Sequence, residues 1–215
     1  MKYAILPLLL LSVTFTTVAQ QRFANDIREF KKSDSVERPP ENPILFIGSS
    51  SFTRWKDVHE AFPRHVILNR GFGGSTLLDV IRYQEDIIFP YQPKQIIIYC
   101  GENDIASGAS SDELLSRFDQ LFTSIRQRLP DVPVAFVSMK PSPSREKFRD
   151  ELTKGNQLVR DYLKGKKHTK YIDVYSRMLN KQDKPQPALF VSDSLHMNEN
   201  GYAIWRKAIQ PALIR

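Results

Sequence analysis

The sequence contains little cysteine and little histidine. Cys100 is the only cysteine among 215 residues, so no disulfide can form within the chain. Only four histidines occur, and none belongs to a group of Cys, His or acidic residues with the spacing of a metal site. The sequence therefore predicts no structural metal and no cofactor. Because Cys100 ends an apolar run, we interpret it as a small buried hydrophobe.

Long runs of one charge are also absent. The formal net charge is +7, yet acidic residues interrupt the basic ones along most of the chain. The densest basic groups are Lys31-Lys32, residues 145–149 and residues 164–170. Scattered Lys and Arg are typical of a solvated surface, which argues against a nucleic-acid partner.

The N-terminus carries an apolar run with the features of a leader. Met1-Lys2 is a short basic start, residues 5–18 are mostly apolar, and Thr17-Val18-Ala19 offers small residues. This pattern predicts a signal peptide over residues 1–19, cleaved after Ala19, and an exported protein that is periplasmic or secreted. The alternative is an uncleaved membrane anchor, for which the run is short. After cleavage we expect no stable association with a membrane.

Apolar runs and helical periodicities alternate through the rest of the chain. Residues 20–42 contain a predicted amphipathic helix (22–32) and a polar linker (33–42). Strands are predicted at residues 44–47, 66–69, 95–100, 133–139 and 170–174. Helices are predicted at 52–62, at 77–83, after a cap at Ser111 or Asp112, around 148–163, and at 201–214. This alternation predicts one α/β domain over residues 43–215, with a parallel sheet whose strand ends carry the site.

Three serines follow the first strand, where a helix should begin. Residues 43–55 read PILFIGSSSFTRW, and Gly48 allows a sharp turn before Ser49, Ser50 and Ser51. Serine at this point caps free backbone N–H groups. The same N–H groups and the helix dipole would also stabilise the oxyanion of a nucleophilic serine. The stretch alone leaves both interpretations open.

Other polar groups fall at the same predicted edge of the sheet. Acyl transfer needs a nucleophile, a base, a group that orients the base, and donors to the oxyanion. His196 lies in a loop before the last helix, and Asp193 three residues earlier could orient its ring towards Ser50. Gly74 could bring a backbone N–H close to a substrate, and Asn103 could offer its side-chain amide. Separately, each of these four residues could also be an ordinary turn, cap or packing residue.

Four short blocks in this order resemble those of the SGNH (GDSL) esterase/lipase superfamily. They are Gly48-Ser49-Ser50, Gly74 after Asn69, residues 101–104 (GEND) and residues 193–196 (DSLH). The resemblance spans position 44 to the C-terminus. It is greatest to the branch of platelet-activating-factor acetylhydrolase-like proteins and secreted bacterial carbohydrate esterases.

The resemblance implies a flavodoxin-like α/β/α sandwich and ester hydrolysis without a metal. It assigns Ser50 as nucleophile, His196 as general base and acid, and Asp193 as the residue that orients His196. The N–H groups of Ser50 and Gly74 and the Asn103 amide would form the oxyanion hole. Ser49 departs from the family, which usually has Asp there, and the serine run leaves Ser51 as an alternative nucleophile. Asp104 is expected to brace its loop.

These observations lead to an expected function and two alternatives. We expect an exported serine esterase that acts on small acyl esters, and the resemblance favours O-acetyl groups on a carbohydrate. An arylesterase, lysophospholipase or thioesterase of the same fold is the first alternative. A carbohydrate-binding module without catalysis is the second. Residues 72–76 and 141–145 are expected to shape the acyl and alcohol sides of the pocket, and the oligomeric state stays open.

Overall fold

A computed structural model describes residues 22–215. The predicted signal peptide and its cleavage point after Ala19 lie outside these residues. Within residues 22–215, none of the helices combines the length and apolar character that a membrane span requires.

The centre of the domain is a five-stranded sheet in which neighbouring strands are all parallel. The strands are β1 (Ile44–Gly48), β2 (Ile67–Gly71), β3 (Gln95–Tyr99), β4 (Val134–Val137) and β5 (Thr169–Ile172). Their order across the sheet is β2-β1-β3-β4-β5. Every residue of the three inner strands is buried. The predicted fold class, a parallel sheet between helices, is confirmed.

Helices cover both faces of the sheet. Within residues 22–215 they are α1 (Ala24–Val36), α2 (Ser50–Thr53), α3 (Val58–Ala61), α4 (Leu77–Arg82), α5 (Gln84–Ile87), α6 (Glu102–Ala106), α7 (Ser111–Arg128), α8 (Arg149–Leu163) and α9 (Glu199–Ile209). Short 3-10 helices occupy Phe89–Tyr91, Pro143–Phe148, Ser176–Met178, Pro187–Leu189 and Gln210–Ala212.

The two faces of the sheet form two apolar cores. Leu45 and Ile47 of β1 pack with apolar residues of α1, α4, α7 and α8, whereas Ile44 and Phe46 pack with those of α2 and α9. Successive side chains of a strand point to opposite faces, so a strand between two cores must be apolar at every position. Trp205 of α9 is fully buried on the second face.

Helix boundaries differ from the sequence predictions where tertiary contacts intervene. Helix α1 continues to Val36, so residues 33–36 of the predicted linker are helical. Asp34 accepts hydrogen bonds from Arg70 and Tyr91, and these contacts hold the last turn against β2. The helix predicted for residues 52–62 is instead divided into α2 and α3, because the chain turns at Trp55 to bury its ring.

The starts of α7 and α9 differ from the sequence predictions by one or two residues. Ser110, not Ser111 or Asp112, caps α7, and it exchanges side-chain to backbone hydrogen bonds with Glu113. This reciprocal arrangement is a capping box. Helix α9 begins at Glu199, two residues before the predicted start. The Asn198 side chain caps it by accepting from the N–H groups of Asn200 and Gly201.

Gly48 joins the end of β1 to both neighbouring strands. Its φ of +126° lies in the region that favours glycine, and an added Cβ would lie 1.9 Å from the Tyr99 carbonyl oxygen. The Ser49 N–H donates to that carbonyl at 2.9 Å, and the Phe72 N–H donates to the Gly48 carbonyl at 2.9 Å. A side chain at position 48 would therefore force β1 and β3 apart.

Replacing Gly48 by Ala should destabilise the fold far more than a positive φ alone explains. Gly108 is the matched control, since it has φ +98° and a Cβ added to it would meet no atom within 4 Å. We expect Gly108→Ala to lower the free energy of unfolding by about 1–2 kcal/mol. Gly48→Ala should cost more than about 4 kcal/mol, measured by urea unfolding. Equal costs for the two variants would contradict the close contact between the strands.

Candidate active site

Ser50 is the serine of the run that faces a histidine. It is the first residue of α2, and its Oγ lies 3.1 Å from Nε2 of His196. Ser51 is buried instead, and its side chain is hydrogen-bonded to Tyr99. Ser49, the residue before α2, is buried as well. Only Ser50 is therefore placed to exchange a proton with His196.

Asp193 organises the loop that carries His196. Its Oδ1 accepts from the N–H groups of Leu195 and His196 at 2.9 and 2.8 Å, and its Oδ2 lies 2.6 Å from Nδ1 of His196. The Val191 N–H donates to the His196 carbonyl at 2.9 Å, which closes the loop at its base. One carboxylate thus fixes both the backbone and the ring of His196.

The charge on Asp193 determines which ring nitrogen of His196 carries the proton. Desolvation pushes the pKa of Asp193 up, but the hydrogen bonds from the His196 ring and from two backbone N–H groups outweigh it. The pKa of Asp193 is therefore held well below its usual range. A carboxylate beside Nδ1 favours the tautomer with its proton on that atom, as inferred from the contacts. Nε2 is then free to accept a proton from Ser50.

The loops after β2 and β3 also approach the serine run. Gly74 follows β2 with φ +85°, a conformation that suits glycine. A Cβ added to the preceding Gly73 would lie 4.0 Å from the Ser50 Cβ, so this loop passes beside the nucleophile candidate. Asn103 lies in α6 after β3, and its Nδ2 donates to Ser49 Oγ at 2.7 Å and to the Ser75 carbonyl at 3.0 Å. The structure thus joins Ser50, His196 and Asp193 by direct contacts, ties Asn103 to the neighbouring Ser49, and places the Gly73-Gly74 turn beside Ser50.

The contacts of Asn103 were not predicted from the sequence. A side-chain amide has two hydrogens, and here both are used by protein acceptors. To donate to a bound oxyanion, the amide must release one acceptor. The Ser49 hydroxyl can rotate away, whereas the Ser75 carbonyl belongs to the backbone. Ser49, the position that departs from the family pattern, is therefore the exchangeable partner.

Hydrogen bonds from Asp104 and Asn69 hold these loops in place. The Asp104 carboxylate accepts from the Leu77 N–H at 3.0 Å and from Arg117 at 2.8 Å, so it braces its loop as expected. Burial raises the pKa of Asp104, although these two donors oppose the shift. Asn69 donates to the Phe52 carbonyl at 2.8 Å and accepts from the Gly71 N–H at 3.0 Å. Sequence reasoning missed this role of Asn69, which ties α2 to β2.

The described part of the chain does not present an obvious metal centre. Within residues 22–215, no group of three or more His, Cys, Asp and Glu side chains is placed to hold a metal ion. Cys100 is buried, and burial raises the pKa of its thiol, in line with its interpretation as a packing residue.

Comparison with known families identifies the class of protein. The model of the GDSL-like lipase/acylhydrolase family matches residues 46–204. The chain therefore belongs to this family, and it is an acylhydrolase-type enzyme, as the resemblance of its four blocks predicted. No curated protein matches the sequence.

Solved structures share the fold at low sequence identity. A GDSL-like lipase from Bacteroides thetaiotaomicron is 20% identical, with a TM-score of 0.72 over 86% of this chain and 96% of its own. A Streptococcus pneumonia protein named after platelet activating factor is 18% identical, with a TM-score of 0.78 over 88% and 92%. An acetylxylan esterase from Geobacillus stearothermophilus is 13% identical, with a TM-score of 0.64 over 80% and 94%.

A serine-reactive fluorophosphonate should distinguish the three serines. We expect it to label Ser50, because only the Ser50 hydroxyl contacts His196. Peptide mass spectrometry should locate the adduct, and Ser50→Ala should abolish it. Ser51→Ala is the control and should retain labelling, since Ser51 is buried against Tyr99. An adduct on Ser51 would overturn this assignment.

Proposed function

We propose that the protein is an exported serine esterase that hydrolyses small acyl esters, with O-acetyl groups on carbohydrates as its substrate class. The observation that carries the proposal is the continuous contact from Ser50 Oγ to His196 Nε2, at 3.1 Å, and from His196 Nδ1 to Asp193, at 2.6 Å. A serine, a base and an orienting carboxylate in this arrangement are what acyl transfer through an acyl-enzyme requires.

The chemistry proceeds in two steps. Ser50 Oγ attacks the ester carbonyl while His196 Nε2 takes its proton, and the resulting oxyanion is bound by the N–H groups of Ser50 and Gly74 and by the Asn103 amide. The intermediate collapses, and His196 returns the proton to the departing alcohol. Water then gives a proton to His196 and attacks the acyl carbonyl on Ser50. This second intermediate expels Ser50 Oγ, to which His196 returns the proton, and the acid is released. Because its pKa is held well below the usual range, Asp193 stays ionised at mildly acidic pH and keeps orienting His196.

Two observations support a small acyl group on a bulky alcohol. The fold is shared with an acetylxylan esterase. The site also opens to solvent, since the Asp193 side chain is 41% exposed and the His196 side chain 15%. An open site can accept one ester on a large sugar. A lysophospholipase, thioesterase or arylesterase would instead act on a longer acyl chain or release a different leaving group.

Export is proposed from the N-terminal sequence. A basic start, an apolar run and the small residues before Gln20 support cleavage after Ala19. N-terminal sequencing of the protein recovered from a secreting host would test this point. A mature chain that still begins at Met1 would contradict it.

Hydrolysis of p-nitrophenyl acetate and p-nitrophenyl octanoate by the mature protein tests the proposal directly. We expect acetate to be preferred and Ser50→Ala to lower turnover on the order of a thousandfold or more. A preference for octanoate would favour the lipid or thioester alternative. Equal rates for folded wild type and Ser50→Ala would refute the esterase mechanism and favour a binding module.

Asp193→Asn should reduce kcat strongly while the protein remains folded. The amide oxygen can still accept from the Leu195 and His196 N–H groups, but its NH₂ would face Nδ1 and favour the wrong tautomer of His196. The loss should be on the order of ten-thousandfold in kcat. Asp173→Asn is the matched control, because Asp173 also accepts from a nearby N–H in an exposed turn, that of Ser176, but contacts no histidine. Full activity in Asp193→Asn would exclude the proposed role.

A further inference from the structure

Buried polar atoms without a hydrogen-bond partner occur in the loops after β2 and β4. Within residues 22–215, five buried side-chain polar atoms have no hydrogen-bond partner, and three belong to Ser75, Ser142 and Arg145. Leaving such an atom unpaired costs free energy, so most buried polar atoms find a partner, and an exception can mark the place of a ligand or a water molecule. Ser142 and Arg145 share the loop after β4, and Arg145 is the charged member.

Arg145 lies between two parts of the site. The N–H of the preceding Ser144 donates to the Ser194 carbonyl at 3.1 Å, which joins this loop to the one carrying Asp193 and His196. The Nε of Arg145 lies 3.8 Å from Oε1 of Glu102, the residue before Asn103. The backbone contact of Ser144 therefore holds Arg145 beside the loop of His196, and its guanidinium lies near the carboxylate of Glu102.

The charge of Arg145 is left largely uncompensated. Glu102 already accepts from Lys140 at 2.7 Å and from the Tyr99 hydroxyl, and all three side chains are buried. Burial and the charge of Glu102 raise the pKa of Tyr99, so its hydroxyl stays neutral. Glu102 and Lys140 thus cancel each other's charge, and the 3.8 Å contact is too long for a hydrogen bond. Arg145 keeps one positive charge, with its side chain 24% exposed.

We propose that Arg145 binds a carboxylate on the alcohol part of the ester, as in an acetylated uronic acid unit of an acidic saccharide. This inference rests on the proposed esterase function. A guanidinium presents a planar fork that matches a carboxylate, and one spare charge matches a singly charged group better than a phosphate dianion. The loop contacts the segment that carries His196, which protonates the departing alcohol. Arg145 therefore belongs to the alcohol side of the site.

Two acetate esters that differ in charge test the inference. Para-acetoxybenzoate carries a carboxylate, and para-acetoxybenzamide is its neutral isostere. Comparing their kcat/KM ratio between wild type and variants removes the difference in intrinsic reactivity. We expect Arg145→Gln to lower this ratio by about tenfold, mainly through a higher KM for para-acetoxybenzoate. The kcat/KM for para-acetoxybenzamide should change little. Arg145→Lys should retain part of the preference for para-acetoxybenzoate, because lysine keeps the positive charge but lacks the planar pair of N–H donors.

Lys147→Gln is the matched control. It removes one positive charge from the same segment, but Lys147 is exposed and its Nζ lies over the Phe148 ring. The ratio should be unchanged in this variant. An equal fall for both esters in Arg145→Gln would give Arg145 a structural role and overturn the inference.

A measurement on the unmodified protein covers the case in which Arg145→Gln does not fold. The preference of the wild type for the carboxylate should weaken as salt is raised, because screening reduces the attraction. A ratio that is independent of salt would overturn the inference. If the wild type hydrolyses the amide ester no faster than Ser50→Ala, the esterase proposal itself is wrong.

Discussion

The close contact between the end of β1 and the Tyr99 carbonyl of β3 is the constraint on which the site depends. Gly48 leaves room for that contact, and its turn directs the chain into α2 with Ser50 as the first helical residue. The same turn places the Ser49 N–H on β3 and the Gly48 carbonyl on the loop after β2. Three neighbouring strands are thus fixed at their carboxyl ends, where parallel strands bring their loops together.

The groups above this edge are held by contacts with one another. Asn103 donates to the loops after β1 and β2 from its own place after β3, so one amide joins three strand ends. Asp193 similarly holds the backbone and the ring of His196 with one carboxylate. The His196 ring, held in this way, needs little reorganisation during a reaction, whereas the Asn103 amide must exchange the Ser49 hydroxyl for the oxyanion.

Local sequence patterns predicted most of the fold. The apolar runs that became β1 and β3 were recognisable because a strand buried on both faces has no polar position. The cap of α7 was predicted at Ser111 or Asp112 and was wrong by one or two residues, although Glu113, three residues after Ser110, completes a capping box. The extension of α1 and the break between α2 and α3 were not readable. They depend on the pairing of Asp34 with Arg70 and on the burial of Trp55, contacts that form only in the assembled domain.

The sequence by itself determined the chemical groups at the strand ends and their order along the chain. Ser50, His196 and Asp193 could be named from it because each motif is local. The tertiary structure decided which atoms meet: that Ser50 and not Ser51 faces His196, that Ser49 holds Asn103, and that Arg145 lies beside a carboxylate already paired with Lys140. These contacts join residues far apart in the chain, and only the pairing of the strands brings such residues within hydrogen-bond distance.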